Sequence, residues 1–412
     1  MSQRAKLKQE SDTQSIKRKA GRLLFIGIAG TSLNKHTRAL LKEVQPGGVV
    51  LFGRNIESPE QIALLNAQIR DAVDHELIIG IDQEGGLVDR LREICEPMPS
   101  AKAVREAGSS DLAEKFGEVA ARVLRLLGLN MNFAPVLDLS GDNQENGLRG
   151  RTFGKSAAEV SRLAGAYLDG LQNGRVIGCG KHFPGLGGSD IDSHRRLPVV
   201  KHSWEEILEH DLVPFMDLMF HRPGEQLQAL MVSHGAFPEV SELLQAWFRR
   251  TGELPALENL HQLPATISGN VVMRLLRRVL KFDGLVITDD MEMGAVVQTL
   301  SVAEAALRAI EAGSDMILIC EQEANFVAAR DAIVKAVEEK RLTVDALDCA
   351  VERIERVLKL AGEPEQFDQD EFATASREIA ELKRALKAAE ITGEYTPPFG
   401  TPEGGERRSS NF

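Results

Sequence analysis

Cysteine is scarce in this chain, with Cys95, Cys179, Cys320 and Cys349 scattered over 412 residues. They form no CxxC pair and no metal-ligand spacing, which excludes a disulfide framework or a zinc ribbon as the basis of the fold. Cys179 and Cys320 fall inside apolar runs and read as buried thiols of a protein in the reducing cytoplasm. No apolar stretch reaches the roughly 18 residues of a membrane-spanning helix, so no membrane partner is expected. The opening MSQRAKLKQESDTQSIKRKAGR lacks the apolar segment of a secretory signal. Positive charge is in deficit, with 49 Lys and Arg against 61 Asp and Glu. Nucleic acid and anionic surfaces, which need clustered cations, are excluded as main partners. HxH and HExxH motifs are missing, and no metal or other cofactor is expected.

Hydrophobic residues make up 43% of the chain, enough for one large core. Eight short apolar runs recur: LLFIGIAG (23–30), GGVVLF (47–52), ELIIGID (76–82), MNFAPVLDL (131–139), VIGCGKHF (176–183), ALMVSHGAF (229–237), DGLVITDDM (283–291) and SDMILIC (314–320). They are nearly continuous rather than alternating, the pattern of parallel strands covered on both faces. Helix-period segments separate them. Ser58-Pro59-Glu60-Gln61 supplies an N-cap, a proline at the first helical position and a capping-box glutamine. Ser156, Ser203 and Ser301 each precede a glutamate by three residues.

Strand then helix, repeated eight times, predicts an α/β fold of the (β/α)8 TIM-barrel kind over residues 21–363. A doubly wound open sheet is the rival, disfavoured by the strand number and by the lack of GxGxxG after the first run. Three segments fall outside the pattern. Residues 1–20 read as a polar, frayed extension. Residues 239–264 read as an insertion after the sixth strand. Residues 364–412 read as a charged helix near 370–390 and a disordered tail rich in Gly, Pro and Ser.

Barrels of this type carry their chemistry at the C-terminal strand ends. Strand three ends in Asp82, strand five in Lys181-His182, strand six in Ser233-His234 and strand seven in Thr288-Asp289-Asp290. The loop after strand four carries Arg149 and Arg151, and the loop after strand five carries Asp190, Asp192 and His194. Any one of these could be a helix cap or a solvated loop residue. Five loops bringing ionisable groups to one rim point to a site. A strand-end carboxylate such as Asp289 can attack an electrophilic carbon. His194, with Asp192 two residues away, can deliver and retrieve a proton. Together with loops able to hold a polyhydroxylated ligand, this suits glycoside hydrolysis through a covalent glycosyl-enzyme.

At these residues the chain resembles bacterial β-N-acetylglucosaminidases of glycoside hydrolase family 3, the NagZ-like, peptidoglycan-recycling type. The matching pieces are GGVVLFGRNIESPEQI (47–62), IDQEGGLVDRLR (81–92), NFAPVLDLS (132–140), GRTFG (150–154), GKHFPGLGGSDIDSHRRLP (180–198), LMVSHGAFP (230–238) and FDGLVITDDMEMGAV (282–296). The resemblance implies Asp289 as nucleophile, His194 as acid/base and Asp192 as its partner. It implies Asp82, Arg90, Arg151, Lys181 and His182 as sugar-binding residues and Met293 as a pocket wall. His234 matches a barrel-mouth position, and Asp290 matches a structural neighbour of the nucleophile.

The chain differs from the family pattern at Leu87, where an arginine is usual, and at Leu186, Gly188 and Ser189, where His, Asp and Thr are usual. The expected protein is a cytoplasmic, monomeric, retaining exo-glycosidase acting on a small carbohydrate or muropeptide. The alternatives are a family 3 phosphorylase or β-glucosidase and, from another class, a catalytically silent muropeptide sensor.

Overall fold

The structure, a computed structural model, describes residues 3–139, 146–189, 191–193, 196–220, 226–251 and 263–387. Eight parallel strands form one barrel: β1 (Leu24–Gly27), β2 (Gly48–Leu51), β3 (Ile78–Ile81), β4 (Met131–Asn132), β5 (Ile177–Phe183), β6 (Ala229–Val232), β7 (Leu285–Thr288) and β8 (Ile317–Ile319). Each expected apolar run supplies one strand. Spatial order follows chain order, and β8 pairs back onto β1 with Leu24 opposite Ile317. The seam between β7 and β8 is bridged at Ile287–Met316.

Side chains alternate between two apolar compartments, which is why the runs are continuous. Phe25, Val50, Ile78, Met131, Ile177, Met231, Ile287 and Leu318 fill the barrel. Leu24, Ile26, Val49, Ile79, Val232 and Val286 face the helices. Phe25 is accommodated because Gly48 and Gly80 carry no Cβ, which would stand 2.7 and 2.9 Å from its ring. Helix Val344–Leu358 adds Ile354, Val357 and Leu358 to the interior cluster. Its Arg353 bonds Asp283 and Asp315, which precede β7 and β8, so this helix closes the N-terminal end.

The serine caps form as the spacing suggested. Ser58, Ser156 and Ser301 accept the backbone N–H three residues on, and Ser203 forms a full capping box with Glu206.

The N-terminal segment differs from its expected frayed state. Gln3–Arg22 is a helix lying on helices Glu323–Glu338 and Val344–Leu358, with Ala20 buried, Ile16 packed against the core and Lys19 paired to Asp348 at 2.5 Å. Ile16 and Ala20 are too sparse in the sequence to give a readable period, yet they seat this end of the helix on the core. The segment read as an insertion opens with helix Pro238–Thr251, which packs on helix Asn270–Val279 and buries Val240 and Leu244; residues 252–262 lie outside the described residues. The C-terminal charged segment forms helix Gln369–Leu386, and the tail 388–412 lies outside the described residues. No described helix is long and apolar enough to cross a membrane.

Candidate active site

A cavity of about 260 Å³ opens at the C-terminal strand ends. Asp82, Arg90, Arg151, Lys181, His182, Asp192, Asp289 and Met293 all line it, although they come from four different strand ends and the loops that follow them. His194 and Asp190 lie outside the described residues. Asp192 sits against Gly147, where an added Cβ would stand 3.0 Å from its carboxylate. Asp289 follows β7, and its backbone N–H donates to the Val232 carbonyl of β6 at 3.0 Å.

Lys181, the fifth residue of a fully buried strand, has its ammonium held by Asp82 at 2.6 Å and Glu84 at 2.7 Å. Arg151 reaches the same Glu84 with two parallel bonds, each 2.8 Å. Burial alone would raise the Glu84 pKa, but the two cations outweigh it and hold the carboxyl well below its usual range. For Lys181 burial works downward, and Asp82 and Glu84 reverse it, so the ammonium stays charged. Two cations and two carboxylates compensate one another, which lets them sit in a region water barely reaches.

Glu84→Gln leaves two buried cations underpaired and is expected to cost about 3 kcal/mol of unfolding free energy at neutral pH. The stabilisation from a depressed carboxyl is full above the unfolded pKa and fades as pH falls. The gap between wild type and variant should therefore narrow below about pH 4, near the ordinary Glu pKa. Urea unfolding at several pH values reads this directly, and a gap that does not change with pH would show that the Glu84 charge is not what stabilises the cluster.

The imidazole of His182 lines the cavity on one side and pairs through Nδ1 with Asp138 at 2.6 Å on the other. Asp138 is fully buried and also accepts from the His182 and Leu186 backbone N–H groups, so it fixes both the ring and the loop after β5. The Lys181–His182 and Phe183–Pro184 peptides flanking this ring are cis. His234 is placed differently. It is wholly buried, with Nδ1 on the Thr266 hydroxyl at 2.8 Å and Nε2 donating to the Asp290 carbonyl at 2.7 Å. It supports the turn after Asp289 from behind and is not among the residues lining the cavity.

Asp290 borders the cavity but is only 6% exposed. Burial, with Glu292 and Asp289 nearby, pushes its pKa up to about 7. A raised pKa of this kind means folding favours the protonated form, so wild type loses stability as pH rises from about 4 to about 7. Asp290→Asn has no charge to bury. Its melting temperature relative to wild type should rise across that interval and level off above it, and a constant offset would contradict the buried-acid assignment.

Sequence reasoning missed Glu84, Asp138 and Glu292. Glu292 accepts from the backbone N–H groups of Cys320, Glu321 and Gln322 and from Asn325 Nδ2, tying the β7 and β8 exits together. All three sit beside residues that were singled out. A carboxylate consumed by buried partners has the same local spelling as a solvated one.

The departures in the loop after β5 have a steric logic. An added Cβ at Gly188 would stand 2.6 Å from the His202 ring, which is itself held by buried Asp211 at 2.7 Å. Leu186 is buried on the cavity wall, and the Ser189 hydroxyl donates to its carbonyl at 2.7 Å.

Known proteins share the family and the fold. Residues 15–357 match the family described as glycosyl hydrolase family 3 N terminal domain. A β-hexosaminidase of Pseudomonas aeruginosa is 35% identical over 312 residues, 75% of this chain and 86% of that protein. A family 3 β-N-acetylglucosaminidase from Paenibacillus sp. superposes with TM-score 0.78 at 34% identity, covering 89% of this chain and 68% of that one. NagZ from Neisseria gonorrhoeae superposes with TM-score 0.70 at 27% identity, covering 87% and 97%.

Proposed function

The chain belongs to glycosyl hydrolase family 3, and from that premise we propose that it is a retaining exo-glycosidase releasing terminal, non-reducing β-linked N-acetylglucosamine. We infer that its substrate is a GlcNAc–anhydroMurNAc muropeptide derived from peptidoglycan, cleaved by a monomeric enzyme in the cytoplasm. The activities named for its relatives support the sugar. The observation that carries the mechanism is one cavity lined by Asp289 after one strand, Asp192 after another, and a compensated cluster of Asp82, Glu84, Lys181 and Arg151.

Asp82, Arg90, Arg151, Lys181 and His182 hold the sugar hydroxyls, and Met293 closes one wall. Protonated His194, supported by Asp192, gives its proton to the glycosidic oxygen as the bond to the anomeric carbon breaks. An Asp289 carboxylate oxygen bonds to that carbon and forms a glycosyl-enzyme. His194, now neutral, takes a proton from water. The hydroxide attacks the same carbon, and Asp289 leaves as carboxylate. Because the acid/base is an imidazole, the carboxyl-separation rule for retaining enzymes does not apply in its usual form.

The test is an activity panel of an aryl β-N-acetylglucosaminide, an aryl β-glucoside and a GlcNAc–anhydroMurNAc peptide, each with and without phosphate. Cleavage of the first and third to free N-acetylglucosamine is expected. Glucoside preference, a sugar phosphate as product, or no turnover would replace this reading with a β-glucosidase, a phosphorylase or a binding protein respectively.

A further inference from the structure

Helix Gln369–Leu386 lies beyond the residues that the family model matches. It packs on helix Ser110–Leu126 through Phe372, Ala375, Ile379 and Leu382. Its other contacts lead toward the active site. The Ser376 hydroxyl accepts the Glu96 backbone N–H at 2.9 Å, and Lys383 Nζ meets the Glu96 carboxylate at 2.7 Å.

Glu96 belongs to the segment that carries the short hairpin 83–89 after β3. Asp89, 5% exposed, accepts from the backbone N–H of Leu91 at 3.1 Å and of Met98 at 2.7 Å, and from Gln83 Nε2 at 2.6 Å. Gly86 N–H donates to the Met98 carbonyl at 3.1 Å, and Arg92 donates to the Gly86 carbonyl at 2.7 Å. Gln83 Oε1 in turn accepts the Arg90 N–H at 2.9 Å. Asp82, Glu84 and Arg90 are thus set by a hairpin that rests on residues 91–98, and those residues rest on the C-terminal helix.

We propose that this helix braces the sugar-binding hairpin and that Ser376 and Lys383 are positioning residues for Asp82 and Arg90. The proposal rests on the sugar-binding role given to those two residues above. The contacts named above end on the hairpin that carries Asp82 and Arg90, so the brace acts on binding rather than on bond cleavage. Helix packing itself is apolar, so removing the two polar contacts loosens the hairpin without undocking the helix.

The experiment uses the full chain with Ser376→Ala, Lys383→Ala, their combination, and Ser376→Thr as the conservative variant. Backbone hydrogen exchange is measured at Gly86, Arg90, Leu91 and Met98, and steady-state kinetics with an aryl β-N-acetylglucosaminide. The double variant should exchange faster at these amides than at the barrel strands, and KM should rise about five-fold with kcat nearly unchanged, the scale of one or two lost hydrogen bonds. Ser376→Thr should restore both. Unchanged exchange and KM would overturn the brace, as would a uniform rise in exchange across the chain with a lower melting temperature. A wild type inactive on every glycoside would overturn the functional reading instead, and the exchange pattern would still decide the brace.

Discussion

Asp289→Ala is expected to lower kcat on an aryl N-acetylglucosaminide by on the order of 10⁴ to 10⁶, the scale seen when a nucleophile is removed from an otherwise intact site. Two adjacent carboxylates line the cavity and compete for this role, and they differ in burial. Asp290 is almost wholly buried, with a pKa pushed up to about 7 by that burial, so much of it is protonated and a poor nucleophile at neutral pH. Asp289 is half-buried, the more exposed of the two. Its Oδ1 accepts the Asp290 N–H at 2.9 Å, a bond that orients the carboxylate from the turn it belongs to. Losing that bond should change unfolding free energy by only about 1 kcal/mol, so the variant stays folded. A slow fluorinated substrate that traps the glycosyl-enzyme should label Asp289 in a peptide map. Full activity in the variant, or a label on Asp290, would shift or remove the assignment.

The barrel was legible because a parallel strand buried on both faces leaves a continuous apolar run, and each of the eight runs has one. The cavity residues were legible for a related reason. Asp82, Lys181, His182 and Asp289 interrupt or end apolar runs, where a polar side chain has no packing purpose. Glu84 and Asp138 were not legible, since their importance lies in partners far along the chain: Arg151 for one, His182 for the other. The N-terminal helix was hidden by its sparse apolar face. The link between the C-terminal helix and the hairpin was hidden because one serine and one lysine carry it, at sequence separations of 280 and 287.

His194→Ala should cost about 10² to 10⁴ in kcat for a substrate with a poor leaving group, the usual worth of a general acid, and much less for an activated aryl leaving group. The first step asks His194 for a proton and the second asks it for a base, so both forms must be reachable near neutral pH, which imidazole offers with little tuning. An activated phenol departs without a proton, so loss of the acid hardly slows its first step. Asp192→Asn keeps the ring and removes its negative partner, and should follow the same slope more shallowly. The measurement is a Brønsted series of aryl N-acetylglucosaminides of rising leaving-group pKa on wild type and both variants. Parallel lines would mean that the proton comes from elsewhere, and the two other cavity-region histidines are not equal candidates. Both ring nitrogens of His234 are committed inside the protein, to Thr266 and to the Asp290 carbonyl. His182 reaches the cavity with its Nδ1 already on Asp138, the geometry of a carboxylate-oriented imidazole. Parallel lines would therefore move the acid to the His182–Asp138 pair, and His182→Ala would then have to show the leaving-group dependence that His194→Ala lacked.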